Sequence, residues 1–154
     1  MTYRYGIIAI HAGTENGTKE IAEKLENGNF DLFENISSIH VTSTKFEDPL
    51  LDKLLSECEV IISIHGEHDR KNSFVVVGGL YTELADALKT SFTKNGFTVR
   101  EKESGLMGRS QENVCNRGLS GKGVQLELSY ALRMELLNDE RKMDCFVQSI
   151  RDCL

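Results

Sequence analysis

The sequence predicts an α/β fold, a single layer sandwich on a mixed, largely parallel sheet. Two strongly apolar runs, Gly6-Ile-Ile-Ala-Ile10 and Val60-Ile-Ile-Ser-Ile64, read as strands covered on both faces. Segments with helical spacing alternate with such runs, as crossover connections between parallel strands require. With 154 residues, 40% of them hydrophobic and one proline, the chain has the size and composition of one ordered core, so a single domain over residues 1–154 is expected.

Residues 5–10 form the first expected strand, followed by a helix over 18–25 in which Ile21, Ala22 and Leu25 recur on one face and Thr18 is placed to cap the amino end. Residues 29–34 and 39–42 are expected as short strands around Asn35-Ile-Ser-Ser38. Pro49 opens a helix through Glu57, where a missing N–H costs nothing. Residues 60–64 give the second buried strand and 74–77 a third, stopped by Gly78-Gly79. A helix over 81–94 carries Leu84, Ala87, Leu88 and Phe92 on one side and ends at Asn95-Gly96. A strand over 97–101 is followed by an irregular stretch, 102–123, whose length and glycine content suit a functional loop. Residues 124–128 resume as a strand, and helices over 130–137 and 139–152 close the chain.

The net charge of −6 provides no basic field for nucleic acid, and no apolar run is long enough for a membrane span. An acidic substrate would need a local cluster of cations, for which Arg109, Arg117 and Lys122 in the irregular stretch are the candidates. The start of the chain enters a strand almost at once and lacks the regions of a secretory signal, so a cytoplasmic protein is expected. The cysteines, Cys58, Cys115, Cys145 and Cys153, lack both zinc-ribbon spacing and the density of a disulfide framework, and are read as thiols. Cys115 lies in the irregular stretch, but no base is supplied for a nucleophile there, so it is read as a small buried hydrophobe.

His11 and His65 each stand one residue past a buried run, at strand ends where an open α/β sheet forms its ligand crevice. Glu15 follows His11 in a glycine-bearing loop, and two imidazoles, one carboxylate and a water make a hydrolytic zinc site. A phosphate loop in the same place is disfavoured. Gly13 and Gly17 are too close for a Walker motif, Thr18-Lys19 is inverted, and Glu15 would face the phosphate. His68 ranks second to His65 as a ligand because it sits in a charged loop tip, and His40 reads as a packing residue of a short strand. Residues 124–129 alternate strictly, putting Gln125, Glu127 and Ser129 on one face. That face is either the wet side of an edge strand or the place of a glutamate general base beside a metal-activated water. Asn116 and Arg117 could clamp a carboxylate, through a planar fork and a neighbouring amide.

Together these blocks resemble the phage and bacillus poly-γ-glutamate hydrolase family, a compact relative of zinc carboxypeptidases. The resemblance runs over Ala9-Ile-His-Ala-Gly13 with Glu15 and Gly17-Thr18, His40-Val-Thr-Ser-Thr44, Ser63-Ile-His-Gly66 and Gly78-Gly79-Leu80. It is most specific in Asn113-Val-Cys-Asn-Arg-Gly118 followed by Gly121-Lys-Gly-Val-Gln-Leu-Glu-Leu-Ser129. The first block departs from the family form, with Ala12 in place of a second glycine and one residue fewer before Glu15. The resemblance implies a zinc carboxypeptidase-like fold, Zn2+ held by His11, Glu15 and His65, and Glu127 as general base. It also implies that Asn116 and Arg117 receive a substrate carboxylate, and that the substrate is the γ-linked polymer of glutamate. The expected partner is this acidic polymer or a small-molecule substrate, the expected state a monomer, and release by lysis is expected if a phage encodes the protein. The alternatives are a zinc amidohydrolase or peptidase acting on another N-acyl amino acid or peptide, and a non-catalytic phage accessory binding protein of the same fold.

Overall fold

The computed structural model describes residues 3–102 and 107–154. The chain runs through β1 (Tyr5–Ala9), α1 (Thr18–Glu26), β2 (Asp31–Glu34), α2 (Pro49–Glu57), β3 (Val60–Glu67), β4 (Val75–Gly78) and α3 (Thr82–Lys94). A 3-10 turn (Val114–Asn116), β5 (Val124–Ser129), α4 (Tyr130–Asn138) and α5 (Glu140–Arg151) follow. The strands lie in the order β2-β1-β3-β5-β4, with β4 antiparallel to β5 and the other neighbouring pairs parallel. The mixed, largely parallel sheet expected from the sequence is therefore present.

The faces of the sheet are covered unequally. On one, Ile7, Ala9, Ile62, Ile64, Leu126 and Leu128 pack with residues of α1, α3, α4 and α5, including Ile21, Leu88, Phe92, Leu132 and Phe146. On the other, Ile8, Ile10 and Ile61 meet Leu51, Leu54 and Leu55 of α2, together with Phe33, Phe46 and Val114. Beyond α2 this second face presents polar side chains on β3 and β5. Ser63, His65 and Gln125 are buried there, and Gln125 is satisfied by an N–H of Asn113 at 3.0 Å. A polar group shielded from water needs a partner, so this part of the face must be occupied by loops that bring such partners.

Several local expectations change. Gly17, at φ +92°, caps α1, while Thr18 is its first helical residue and donates through Oγ1 to the Glu15 carbonyl at 2.8 Å. Residues 39–42 form no strand: the chain there crosses over His11, and His40 is exposed. Residues 97–101 shrink to a single bridge between Val75 and Val99. Strand β5 is no edge strand, because β4 pairs along its far side and leaves it no wet flank. No described helix is long and apolar enough to cross a membrane.

Candidate functional site

His11 leaves β1 on a tight loop whose amides turn inward. The N–H groups of Thr14 and Glu15 donate to the His11 carbonyl, that of Thr18 to Glu15 and that of Gly13 to Asn35. Those amides are therefore unavailable as an anion cradle, and the phosphate reading loses its physical basis. A side chain at Gly13 would collide with the backbone of the following loop, since a Cβ would stand 2.2 Å from the Ser37 carbonyl oxygen. That contact, with the Asn35 amide on the Ile10 carbonyl at 3.0 Å, fixes residues 35–41 over the strand end. The Val41 carbonyl then accepts from His11 Nε2 at 2.7 Å, which turns Nδ1 inward as the free ring nitrogen.

His65, on β3, is held in the same way. Its Nε2 meets Ser63 Oγ at 2.9 Å on the same strand face, and its Nδ1 lies 3.2 Å from His11 Nδ1. Glu15 Oε1 completes the group at 3.3 Å from His11 Nδ1 and 3.6 Å from His65 Nδ1. The shortened loop containing Ala12 thus still delivers Glu15 to both imidazoles. Both histidines are 5% exposed. Four tetrahedral bonds of the length zinc makes to nitrogen and oxygen put neighbouring donors roughly 3.3 Å apart, and these three separations match.

The electrostatics agree with that fit. Glu15 Oε1 is buried and has no aligned hydrogen-bond partner among the described residues, although both rings stand at charge-pairing distance. Burial alone would raise the Glu15 pKa, and the two imidazoles overcome it, holding the carboxyl at about 2. For His11 burial favours the neutral ring, and Glu15 with the Val41 carbonyl outweighs it, so its pKa is raised. A carboxylate oxygen and two ring nitrogens directed at one point, with their outer atoms already bonded, form a cation-seeking arrangement. Among the described residues this is the one cluster of three such donors.

Glu127 sits one strand over. In the β3–β5 register it pairs with His65, as Gln125 pairs with Ser63, so both carboxylate and imidazole rise from the same face. It is not part of the donor cluster. Lys102 Nζ donates to Glu127 Oε1 at 3.1 Å and lies 2.8 Å from Oε2, which is buried and has no aligned hydrogen bond.

The other expected residues are placed differently. Asn116 is 3% exposed, and its amide is fully used: Nδ2 donates to Gly108 and Ser110 carbonyls, and Oδ1 accepts from the Leu80 and Gly123 amides. Arg117 is half-buried and donates to the Phe46 carbonyl at 2.6 Å, with its Nε unpaired among the described residues. Neither makes a hydrogen bond or ion pair with His11, Glu15, His65 or Glu127 among the described residues. Lys122 lies over the Tyr81 ring at 4.2 Å and Arg109 is exposed, so the three cations of this stretch do not share one partner. His68 is exposed and outside the donor cluster. His40, expected to pack in a strand, instead stacks on His11 with ring centroids 3.9 Å apart. Cys115 is wholly buried and its thiol is pushed up to about 12 by that burial, which suits a packing residue.

Three supporting residues went unnoticed in the sequence. Ser63 had a visible signal, since it and His65 are the polar pair at period two in an apolar strand. Arg133 had none. Only 4% exposed, it donates to the Glu67 and Leu128 carbonyls at 3.2 and 2.8 Å, bridging the ends of β3 and β5 just past His65 and Glu127. It also explains Gly66, where a Cβ would stand 1.9 Å from the guanidinium. Lys102 likewise gave no sign of its contact with Glu127.

A concavity of about 510 Å³ opens at the other end of the sheet, lined by Tyr3, Arg4, Tyr5, Phe30, Asp31 and Arg151 among others. It contains none of the donors, and the chemistry is placed by the donors rather than by that hollow.

The model of the poly-gamma-glutamate hydrolase family matches residues 2–149. The SPbeta prophage-derived UPF0714 protein YoqZ of Bacillus subtilis (strain 168) is 36% identical over 141 residues, which is 86% of this chain and 51% of that protein. The chain thus spans about half the length of this curated relative. A bacteriophage poly-gamma-glutamate hydrolase superposes with a TM-score of 0.89 at 28% identity, over 99% of this chain and 83% of that one. YndL in its zinc-free apo form superposes with a TM-score of 0.84 at 28% identity, over 97% of this chain and 83% of that one. Since the family match extends from before the first strand into the last helix, this chain belongs to the poly-gamma-glutamate hydrolase family.

Proposed function

We propose that this chain hydrolyses γ-amide bonds of poly-γ-glutamate with a zinc ion held by His11, Glu15 and His65, and with Glu127 as general base. The observation that carries this reading is the convergence of those three donors, at separations suited to zinc, one strand away from a half-buried carboxylate. The family and its phage member supply the substrate class, and the zinc-free description of YndL supports the choice of metal.

Zinc bound there would supply Lewis acidity, lowering the pKa of a water and polarising an amide carbonyl. The protein's own part is positional. Val41 and Ser63 fix the rings of His11 and His65, and Glu15 contributes the anionic donor. Glu127, whose carboxylate is paired with the Lys102 ammonium, takes a proton from the attacking water and returns it to the leaving amine. Arg117 keeps donors beyond the one spent on Phe46 and receives a substrate α-carboxylate, while Asn116 buckles the loop that carries it. We place the activity in one domain over residues 1–154, acting as a monomer on an acidic polymer, made in the cytoplasm and, if a phage encodes it, released by lysis.

The test is elemental analysis with a cleavage assay. Near one zinc per chain, cleavage of γ-linked but not α-linked oligoglutamate, and loss of cleavage by about 10²–10⁴-fold in Glu127→Gln with zinc retained are expected. Full activity in that variant would remove Glu127 from the mechanism, and cleavage of α-linked substrate alone would move the chain to another peptidase class.

A further inference from the structure

The carboxylate proposed as the base is not alone. Lys102 Nζ reaches both oxygens of Glu127, at 3.1 and 2.8 Å, from the segment that follows the bridge of Val99 to β4. The two partners differ in exposure: the Lys102 side chain is 42% exposed and that of Glu127 15%. The lysine's charge is therefore available to solvent, while the glutamate is largely screened from it. On the β4 side the residue in register with Glu127 is Val76, an apolar neighbour that offers the carboxylate nothing polar.

This arrangement raises a charge problem that the substrate would make worse. Every residue of a γ-linked glutamate chain carries a free α-carboxylate, so a scissile amide brought to Glu127 brings a second anion close to the first. Two carboxylates in a partly dry cleft repel each other unless a cation lies between them. The chain as a whole cannot help, because its net charge is −6. Arg117, assigned to another α-carboxylate of the chain, makes no ion pair with Glu127 among the described residues. Lys102 is the cation already in contact with the base, and an ammonium has three donors around a compact charge, enough to serve two anions at once.

We infer that Lys102 is a specificity residue: its ammonium bridges the Glu127 carboxylate and the α-carboxylate of the substrate residue beside the scissile γ-amide. In the free protein it neutralises Glu127. With substrate bound it makes the base and a neighbouring anion compatible, so that the site favours a chain carrying that α-carboxylate over an otherwise equal neutral one. The inference rests on the proposed role of Glu127 and extends it to substrate selection.

Two γ-linked oligoglutamates of equal length separate the possibilities, one with free α-carboxylates and one with these converted to carboxamides. Wild-type protein, Lys102→Met and Lys102→Arg are compared by kcat and KM on both, and by calorimetric binding of both to the zinc-free protein. In Lys102→Met the preference for the acid over the amide should fall about tenfold in kcat/KM, mainly through KM. Zinc-free binding of the acid should weaken by a similar factor, and Lys102→Arg should restore most of both. An equal loss on the two oligomers, with binding of the acid unchanged, would overturn the inference and reduce Lys102 to a support for Glu127. Wild-type protein that cleaves neither oligomer, or a Glu127→Gln variant as active as wild type, would overturn the proposed function and this inference with it.

Discussion

At the amino-terminal end of the strands, charges answer one another. Arg4 pairs with Asp31 through two hydrogen bonds of 2.7 and 3.1 Å, approaches Glu57 at 3.4 Å and takes Glu59 on its backbone N–H at 2.7 Å. This group is solvated, and its members are satisfied within it. At the carboxyl-terminal end, Glu15 Oε1, Glu34 Oε2, Glu127 Oε2 and Arg133 Nε are buried with no aligned hydrogen-bond partner among the described residues, and Arg151 Nε is such an atom beside the amino-terminal end. A fold keeps unpartnered buried polar atoms at a cost of about 1–3 kcal/mol each, and the two carboxylates beside the histidines, Glu15 and Glu127, mark where a ligand or a reaction completes them. One end spends its charge on itself, and the other holds charge in reserve.

The sharpest way to break that contrast is to remove a donor. His65→Ala should abolish zinc retention and hydrolysis together, while Arg4→Met should leave both as in wild type, read by metal content after dialysis and by cleavage of γ-linked oligoglutamate. Equal zinc content in the two variants would disconnect the carboxyl end from metal binding.

Arg133 extends the contrast to stability. Arg133→Met should destabilise the fold by about 2–3 kcal/mol, because a buried cation serving two strand-end carbonyls is replaced by a side chain that serves none. Arg4→Met should leave Tm without a resolvable change, because its pairs are exposed. Denaturant melts of the two variants compare them directly, and equal losses would show that burial does not separate the two ends.

How much of this could be read from the sequence follows from the range of the contacts. The apolar runs marked β1 and β3, and the step past each marked His11 and His65, because those signals are local. Strict alternation put Gln125, Glu127 and Ser129 on one face, but the strand's position between β3 and β4 was invisible, since β4 precedes β5 in the chain. That insertion makes Glu127 a neighbour of His65, and it brings Lys102 to Glu127 across 25 positions and Arg133 to Glu67 across 66. The residues 39–42 misled because a β-branched pair beside a histidine looks like a strand. Their backbone is instead used to orient His11, a tertiary demand that no local propensity encodes.

A smaller effect is expected where a support is shaved rather than a donor removed. Ser63→Ala takes away the partner of His65 Nε2 without touching Nδ1. Zinc affinity should fall about tenfold, the lower range for such outer partners, with the fold intact. Competition against a chelator reads this, and an unchanged affinity would show that the strand alone orients the ring.

The smallest expected effect concerns an acid at the carboxyl end of β2 that the mechanism does not use. Glu34 is pushed up to about 7, by burial first and then by Glu23, which is itself held by Lys19 at 2.7 Å. Its folded pKa lies above its ordinary value of 4.5, so the folded state holds the proton longer than the unfolded chain does. The stability this gives is fully present below about 4.5 and is lost as pH rises through about 7. Above that range the carboxylate is ionised in the fold, with Oε2 buried and without an aligned hydrogen-bond partner among the described residues. Glu34→Gln should therefore match wild type at pH 4 and exceed it by about 1 kcal/mol at pH 8, after allowance for partial exposure. Thermal melts across that range should show wild type declining and the variant level. Parallel curves would mean that Glu34 ionises in the fold as it does in the unfolded chain, and that its place at the carboxyl end of β2 puts no strain on its charge.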